Sequence, residues 1–331
     1  MSRNRYIIGI CDAVALLTVV TAMFIAFTQG PDITVEAPQQ QREETVVAQE
    51  TTLLFVGDIM LSRSVGAKME QQDDWRWPFL SIADFLKSAD ITFGNLETTI
   101  SDRGRNVGSI YSFRADPKSV EGLTYAGFDA LSVANNHMGD WTQQAMEDTF
   151  ALLEANNIAV IGGGSTQEDA HTAKIIEKNG VRFAFLGYTD LGARYAEAVG
   201  EETGIAWLDK ETMVADIQKA KSASDVVVVS VHMGEEYQLT ANTRQRDIAS
   251  AALNAGATLF IGHHPHVVQN TERKENGYIA YSLGNFVFDQ SFSAETMEGL
   301  AMKATFEGAN LKNVEEIPIA ISRQYQASLT D

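Results

Sequence analysis

The segment Val226-Val227-Val228-Val229-Ser230-Val231-His232-Met233-Gly234-Glu235-Glu236 runs without a break from a valine-rich stretch into a polar cluster. Branching at Cβ suits a pleated, extended backbone better than a helix. A strand with one face in water alternates apolar and polar residues. This one does not, so it predicts a strand covered on both faces, as in parallel sheets flanked by helices. Further runs of the same kind are Leu53–Val56, Ile91–Phe93, Ala130–Val133, Ala159–Ile161, Arg182–Leu186, Thr258–Ile261 and Tyr278–Ser282. Helical spacing recurs between them in Trp141–Ala155, Glu211–Ala223 and Arg244–Ala255. Two late runs, Ala301–Phe306 and Glu316–Ser322, have no strong helix between them and read as antiparallel additions. The fold class is therefore a layered α/β domain. No linker interrupts 51–320.

Strand after strand ends in a polar group. Gly57-Asp58, Gly94-Asn95-Leu96-Glu97, Asn135-Asn136-His137, His232 to Glu236, Gly262-His263-His264-Pro265-His266 and Gly284-Asn285 all follow apolar runs. In open α/β sheets the carboxyl ends of the strands form the ligand crevice. A turn and a helix cap account for any single Asp or Asn at such a place. They do not account for histidine, and five of the six histidines sit in these clusters, with His171 alone outside them. The pattern predicts a shared metal site. The chain has one cysteine, Cys11, which excludes an intramolecular disulfide, a zinc ribbon or a CxxC redox pair. Donors drawn from Asp, Glu, Asn and His suit one or two divalent ions of the Mn, Fe or Zn kind. A pair of such ions can lower the pKa of water and clamp a phosphate oxygen. A histidine that is not a ligand can protonate the leaving alkoxide.

The set Gly57-Asp58-Ile59-Met60-Leu61, Gly94-Asn95-Leu96-Glu97, Ala134-Asn135-Asn136-His137, His232-Met233-Gly234-Glu235, Gly262-His263-His264-Pro265-His266-Val267 and Ser282-Leu283-Gly284-Asn285-Phe286 resembles the CapA family. These are poly-γ-glutamate capsule-synthesis proteins related to the calcineurin-like metallophosphoesterases. The resemblance runs from about 52 to 290. It implies a metallophosphoesterase-like sandwich with a strand-end metal crevice. It further implies that Asp58 and His266 bind a first metal, that Asn136, His232 and His264 bind a second, and that Glu97 bridges them. His137 is implied as the phosphate-facing general acid. Two places depart from the superfamily pattern. Met60 stands where Asp-x-His would put a histidine, and Gly94-Asn95-Leu96-Glu97 replaces Gly-Asp-x-x-Asp.

Other features carry less. His263 lies one place outside the His-x-His spacing and reads as a loop residue, and Glu235 is placed to orient His232 or to stand in solvent. Arg114 reads as a surface arginine with an anionic substrate as the alternative, while Asp289-Gln290 follows the last motif and can line the crevice. Trp75 and Trp77 either cap the site or pack beside it. Gly162-Gly163-Gly164-Ser165 lacks the Gly-Lys-Ser/Thr of a P-loop and reads as a turn into a helix starting near Thr166.

The chain of 331 residues carries Lys+Arg 25 against Asp+Glu 44, a net −19. Residues 1–30 hold only Arg3, Arg5 and Asp12, which leaves −20 on the remainder. Nucleic acid is excluded as a partner, because phosphate binding needs surplus Lys and Arg. Arg3 and Arg5 precede a long apolar stretch, and residues 6–28 can span ~30 Å of hydrocarbon. The expected order is a cytoplasmic end (1–5), a membrane anchor (6–28), a linker (29–50) and a metallophosphoesterase-like domain (51–331). The basic residues place that domain on the extracytoplasmic side. A cleaved signal peptide is the competing reading of the same stretch. Three functions then stand side by side. One is a role in synthesis, export or anchoring of an anionic capsule polymer, within a membrane complex. The others are a phosphoesterase with an unrelated phosphoester substrate and a non-catalytic assembly partner.

Overall fold

Successive side chains of a strand face opposite ways, and in the central strands of this chain both ways lead to apolar neighbours. The computed structural model describes residues 49–330. The cytoplasmic end, the anchor and nearly all of the linker expected at 1–50 lie outside the described residues. Four strands of the first sheet open the domain, short two-residue strands aside: β1 (Glu50–Ile59), β2 (Ile91–Leu96), β3 (Ala130–Ser132) and β4 (Ala159–Ile161). Six then form a second sheet: β5 (Lys174–Lys178), β6 (Val181–Thr189), β7 (Val226–His232), β8 (Leu259–His263), β9 (Thr271–Lys274) and β10 (Gly277–Ala280). The chain returns to the first sheet with β11 (Asn285–Val287), β12 (Glu298–Glu307), β13 (Asn310–Ile321) and β14 (Ala327–Leu329).

The first sheet runs β14-β13-β12-β1-β2-β3-β4, with β11 also paired to β1, and the second runs β9-β10-β8-β7-β6-β5. Pairing is parallel from β1 through β4 and among β6, β7, β8 and β10. The late runs join antiparallel as β12 and β13. Leu53, Phe55, Val226 and Val228 meet in an apolar layer between the two sheets. Leu54 and Val56 face instead the helices α1 (Arg63–Gln72), α2 (Val120–Ala126) and α3 (Thr142–Ala155). Val227, Val229 and Val231 face α4 (Lys210–Ala223) and α5 (Thr243–Ala255). The result is a four-layer α/β/β/α sandwich, the metallophosphoesterase-like layering expected above.

The covering helices start where the sequence supplies caps. Asp209 accepts from the Thr212 amide at the head of α4, and Asn242 and Gln245 form a reciprocal capping box on α5. Each then buries one stripe, Met213, Ile217 and Ala220 on α4 and Ile248, Ala249, Ala252 and Leu253 on α5. Burying a Leu- or Ile-sized side chain contributes about 1.5–3 kcal/mol, which holds both helices against the sheet.

Candidate metal centre

Strand register gathers the polar clusters. Asp58 pairs with Asn95 on β2 and with Asn285 on β11, so three polar side chains stand abreast at one end of the first sheet. In the second sheet His232 on β7 pairs with His263 on β8. The close approach of β1 to the turn before β11 depends on Gly57, where a Cβ would lie 2.0 Å from the Gly284 carbonyl oxygen. All seven side chains expected at the site, Asp58, Glu97, Asn136, His137, His232, His264 and His266, meet in the crevice between the two sheets. The His264 amide, for example, donates to Asp58 Oδ2 at 3.3 Å.

Two triads of donor atoms lie within 4.8 Å of one another: Asp58, Glu97 and His232, and Glu236, His264 and His266. Ligands bound at ~2.1 Å can be at most ~4.2 Å apart, so small rotations bring either triad onto one ion. Asn136 Oδ1 is 2.8 Å from His232 Nε2. Asn95 Nδ2 donates to Asp58 Oδ1 at 2.8 Å and lies 3.2 Å from His232 Nδ1. Asn135 holds Asn95 in turn, by a bond to its Oδ1 at 3.1 Å.

Electrostatics point the same way. Glu97 is fully buried, and burial first, then the Asp58 charge, raises its carboxyl well above the ordinary range. Its Oε1 has no hydrogen-bond partner. Burial alone would also raise Asp58, but contacts with the imidazoles of His263 and His266 hold it well below the ordinary value. Burial, reinforced by neighbouring histidines, lowers His232 well below 6.5 and His264 to about 3. Both imidazoles are therefore neutral near pH 7, the form that binds a metal. His264 Nδ1 is also buried and unpaired. His264 (φ 100) and His266 (φ 58) adopt left-handed backbone angles, a strain of ~1–3 kcal/mol each that clusters at functional sites. Unpaired buried donors, two carboxylates and no thiolate fit a hard-to-borderline divalent ion.

His137 is set apart from these donors. Its Nδ1 lies 2.7 Å from Asp140 Oδ2, and its ring stacks on Phe113 at 3.8 Å between centroids. Asp140 is itself fixed by the Phe113 amide at 2.8 Å and the Ser109 hydroxyl at 3.1 Å. His137 Nε2 stays on the site side, 3.7 Å from Glu97 Oε1.

One expectation needs correction, and several open readings are decided. His263 is not a loop residue. It closes β8, fully buried, with Nδ1 3.3 Å from Asp58 Oδ1 but off the line of a hydrogen bond. Met60 turns its sulfur to the amide and hydroxyl of Ser62, and the imidazole standing beside Asp58 is that of His263, from β8. Glu235 is exposed and makes no bond to His232; the next residue, Glu236, joins His264 and His266. Arg114 lies over Trp141 at 3.7 Å, away from the crevice. Trp75 and Trp77 pack on the helical side of the first sheet. Gly163–Gly164 forms a short strand paired with Gly204–Ile205 ahead of the Thr166-capped helix. Sequence alone gives no role to Asp140, Phe113, Arg63 or Glu236, although Glu236 stands in the cluster after β7 and Asp140 lies three places after His137.

Comparison with known proteins identifies the family. The family described as Bacterial capsule synthesis protein PGA_cap matches residues 52–290. A capsule biosynthesis protein CapA of Bacillus anthracis is 32% identical over 286 residues, 84% of this chain and 68% of that protein. A PGA biosynthesis protein CapA of Bacillus subtilis (strain 168) is 36% identical over 242 residues, 72% of this chain and 63% of that protein. A probable polyglutamine synthesis accessory protein of Mycobacterium tuberculosis is 24% identical over 298 residues. A hypothetical protein from Thermus thermophilus shares the fold, with TM-score 0.54 and 17% identity over 81% of this chain and 98% of its own. With the motifs in order across most of the domain, the chain belongs to the bacterial capsule synthesis protein (PGA_cap) family, alongside the CapA proteins.

Proposed function

We propose that this protein is a membrane-anchored, outward-facing CapA-type protein acting in synthesis, export or anchoring of a poly-γ-glutamate-type polymer. Its crevice is a divalent-metal, phosphoesterase-like centre. The observation that carries the chemistry is the unpaired, buried Glu97 oxygen lying among Asp58, neutral His232 and His266. Asp58, Glu97, Asn136, His232, His264 and His266 would hold the ion or ions, with His263 and Glu236 as added donors. An ion held there supplies a water of lowered pKa and a positive charge against a phosphate oxygen. The protein's own part is orientation and proton transfer. Asp140 fixes the His137 ring through Nδ1, Phe113 fixes its plane, and Nε2 is left to hand a proton to a departing alkoxide.

The test is metal analysis of the purified chain after loading with Mn, Fe or Zn, coupled to hydrolysis of simple phosphodiesters and phosphomonoesters. Stoichiometric metal with hydrolysis supports the reading. Failure to bind any of the three sinks the metal centre. Bound metal without hydrolysis moves the protein to a non-catalytic role in capsule assembly. The topology is tested by protease treatment of intact cells. Loss of the domain only after lysis overturns the outward orientation, and a mature chain beginning near Gly30 replaces the anchor with a signal peptide.

A further inference from the structure

Beside the metal crevice lies a cavity of about 230 Å³, bounded inward by His137 and His266 and outward by Arg63, Tyr111, Tyr237 and Phe292. Arg63 (φ 51) and Tyr237 (φ 63) both hold left-handed backbone angles unusual for such residues. Arg63 is fixed in place: Nε donates to Asp289 Oδ2 at 3.1 Å, Nη2 donates to Asp289 Oδ1, and the Ser64 amide donates to the same carboxylate at 3.2 Å. The Asp289 side chain is only 3% exposed. The guanidinium also lies 5.1 Å from the ring centre of Phe113, the ring that stacks on His137. Among the described residues Nη1 makes no hydrogen bond, and the Arg63 side chain is 35% exposed. Tyr111 and Phe292 stand 64% and 66% exposed at the rim, contributing little to any core.

A guanidinium already immobilised on one edge presents its other edge at little further entropic cost, and its planar fork matches a carboxylate. Asp289 neutralises the local charge, so recognition rests on short directional bonds rather than on long-range attraction. Exposed aromatic rings beside such a fork suit aliphatic methylenes. The phosphate to be cleaved belongs at the metal donors, whereas the Arg63 guanidinium is held on Asp289 and against the Phe113 ring, so Arg63 serves a different group of the ligand. The geometry points to Arg63, with Tyr111, Tyr237 and Phe292, as a subsite for one γ-linked glutamyl unit, its carboxylate on Arg63 and its two methylenes against the rings. The inference rests on the capsule-polymer reading and gives it a specific contact.

The experiment is calorimetric titration of the full-length chain with a γ-linked glutamate hexamer and with the same hexamer carrying methyl-esterified carboxylates. Losing charge-assisted hydrogen bonds should weaken hexamer binding by about 10–100-fold in Arg63→Gln, with little effect on the ester. Arg63→Lys should recover part of the loss. Phe292→Ala, at an exposed position that leaves the fold intact, should weaken both ligands by about 3–10-fold. Wild-type affinity in Arg63→Gln would overturn the subsite and leave the polymer reading standing. A wild-type chain that does not bind the hexamer overturns both. Inorganic phosphate that depends on Arg63 while the hexamer does not would reassign the pocket to phosphate and also overturn the subsite.

Discussion

His264 reports on the crevice in two ways. As a neutral buried imidazole beside Asp58 and His232 it is a metal donor, and His264→Ala should sharply lower metal content while the sandwich stays folded. Unchanged stoichiometry by elemental analysis would remove it from the ligand set. In the metal-free chain its proton balance also sets stability. Unfolded, His264 and His232 titrate near 6.5, whereas folded they sit far lower, His264 at about 3. Between those values the unfolded chain binds protons that the folded chain does not. Their contribution is therefore complete above about 6.5 and is lost as pH falls toward the folded values. Glu97 acts in the opposite sense, because its raised folded pKa keeps a proton that the unfolded chain gives up above 4.5. Two histidines against one carboxylate leave one net proton. Metal-free stability should thus fall as pH drops from about 6.5 toward 5, the two histidines outweighing Glu97. Urea titrations across that range check the slope, which His264→Ala should flatten; a flat wild-type profile would mean the histidines are charged in the fold. For His137 the expected outcome of His137→Ala is a turnover loss of ~10²–10⁴ on alkyl esters that shrinks on nitrophenyl esters, with metal content kept. Asp140→Asn should show the same leaving-group dependence in weaker form. An equal drop on both substrates would make His137 structural. Most of these residues were legible because each ends an apolar run. Asp140 and Phe113 were not, since their roles arise from loops meeting in space, and Glu236, though in the cluster after the valine-rich run, takes its part only through His264 and His266. His263 was misread because the strand containing it extends two residues beyond its apolar run.

At the scale of elements, the valine-rich and Leu53–Val56 runs made the central strands readable, because both faces are buried and no alternation blurs them. The missed elements are those whose stability is borrowed. Helix α1 buries only Val65 and Met69 and is otherwise Gly-, Lys- and Gln-containing, so its own periodicity is faint. Strand β5, Lys-Ile-Ile-Glu-Lys, is a largely exposed edge without a long apolar run, and β11 is three residues held by its pairing to β1. That pairing bears directly on the site, since it sets Asn285 beside Asp58. His266 Nδ1 in turn lies 3.0 Å from Asn285 Oδ1, which fixes its ring. Gly57→Ala would drive a Cβ to 2.0 Å from the Gly284 carbonyl, a backbone atom with nowhere to swing. The strands must separate, and the expected result is a loss of roughly 1–3 kcal/mol with weakened metal binding. Denaturant midpoints and metal affinity read both effects. Wild-type values for the two would show that the β1–β11 spacing does not position Asp58.

Over the whole molecule, the charge of −19 sets the terms on which an anionic polymer can approach. A protein carrying this charge repels a polyglutamate chain at long range, so binding must depend on short contacts inside the crevice and its mouth. The sign of the salt effect follows. At about 0.01 M ionic strength the Debye length is ~30 Å and the repulsion extends across the domain, whereas at 0.15 M it is ~8 Å and the repulsion is confined to near contact. Association of the full chain with the γ-linked hexamer should therefore quicken as sodium chloride rises over this range, opposite to the slowing seen for oppositely charged pairs. Dissociation, governed by contacts such as the Arg63 fork, should change little. Divalent salt at matched ionic strength should raise the affinity further if cations bridge carboxylates at the mouth, where Glu236 stands. Stopped-flow rates across a salt series decide the matter. An association rate that falls with salt would mean that the polymer is drawn to a basic surface, and the local-contact account would have to give way.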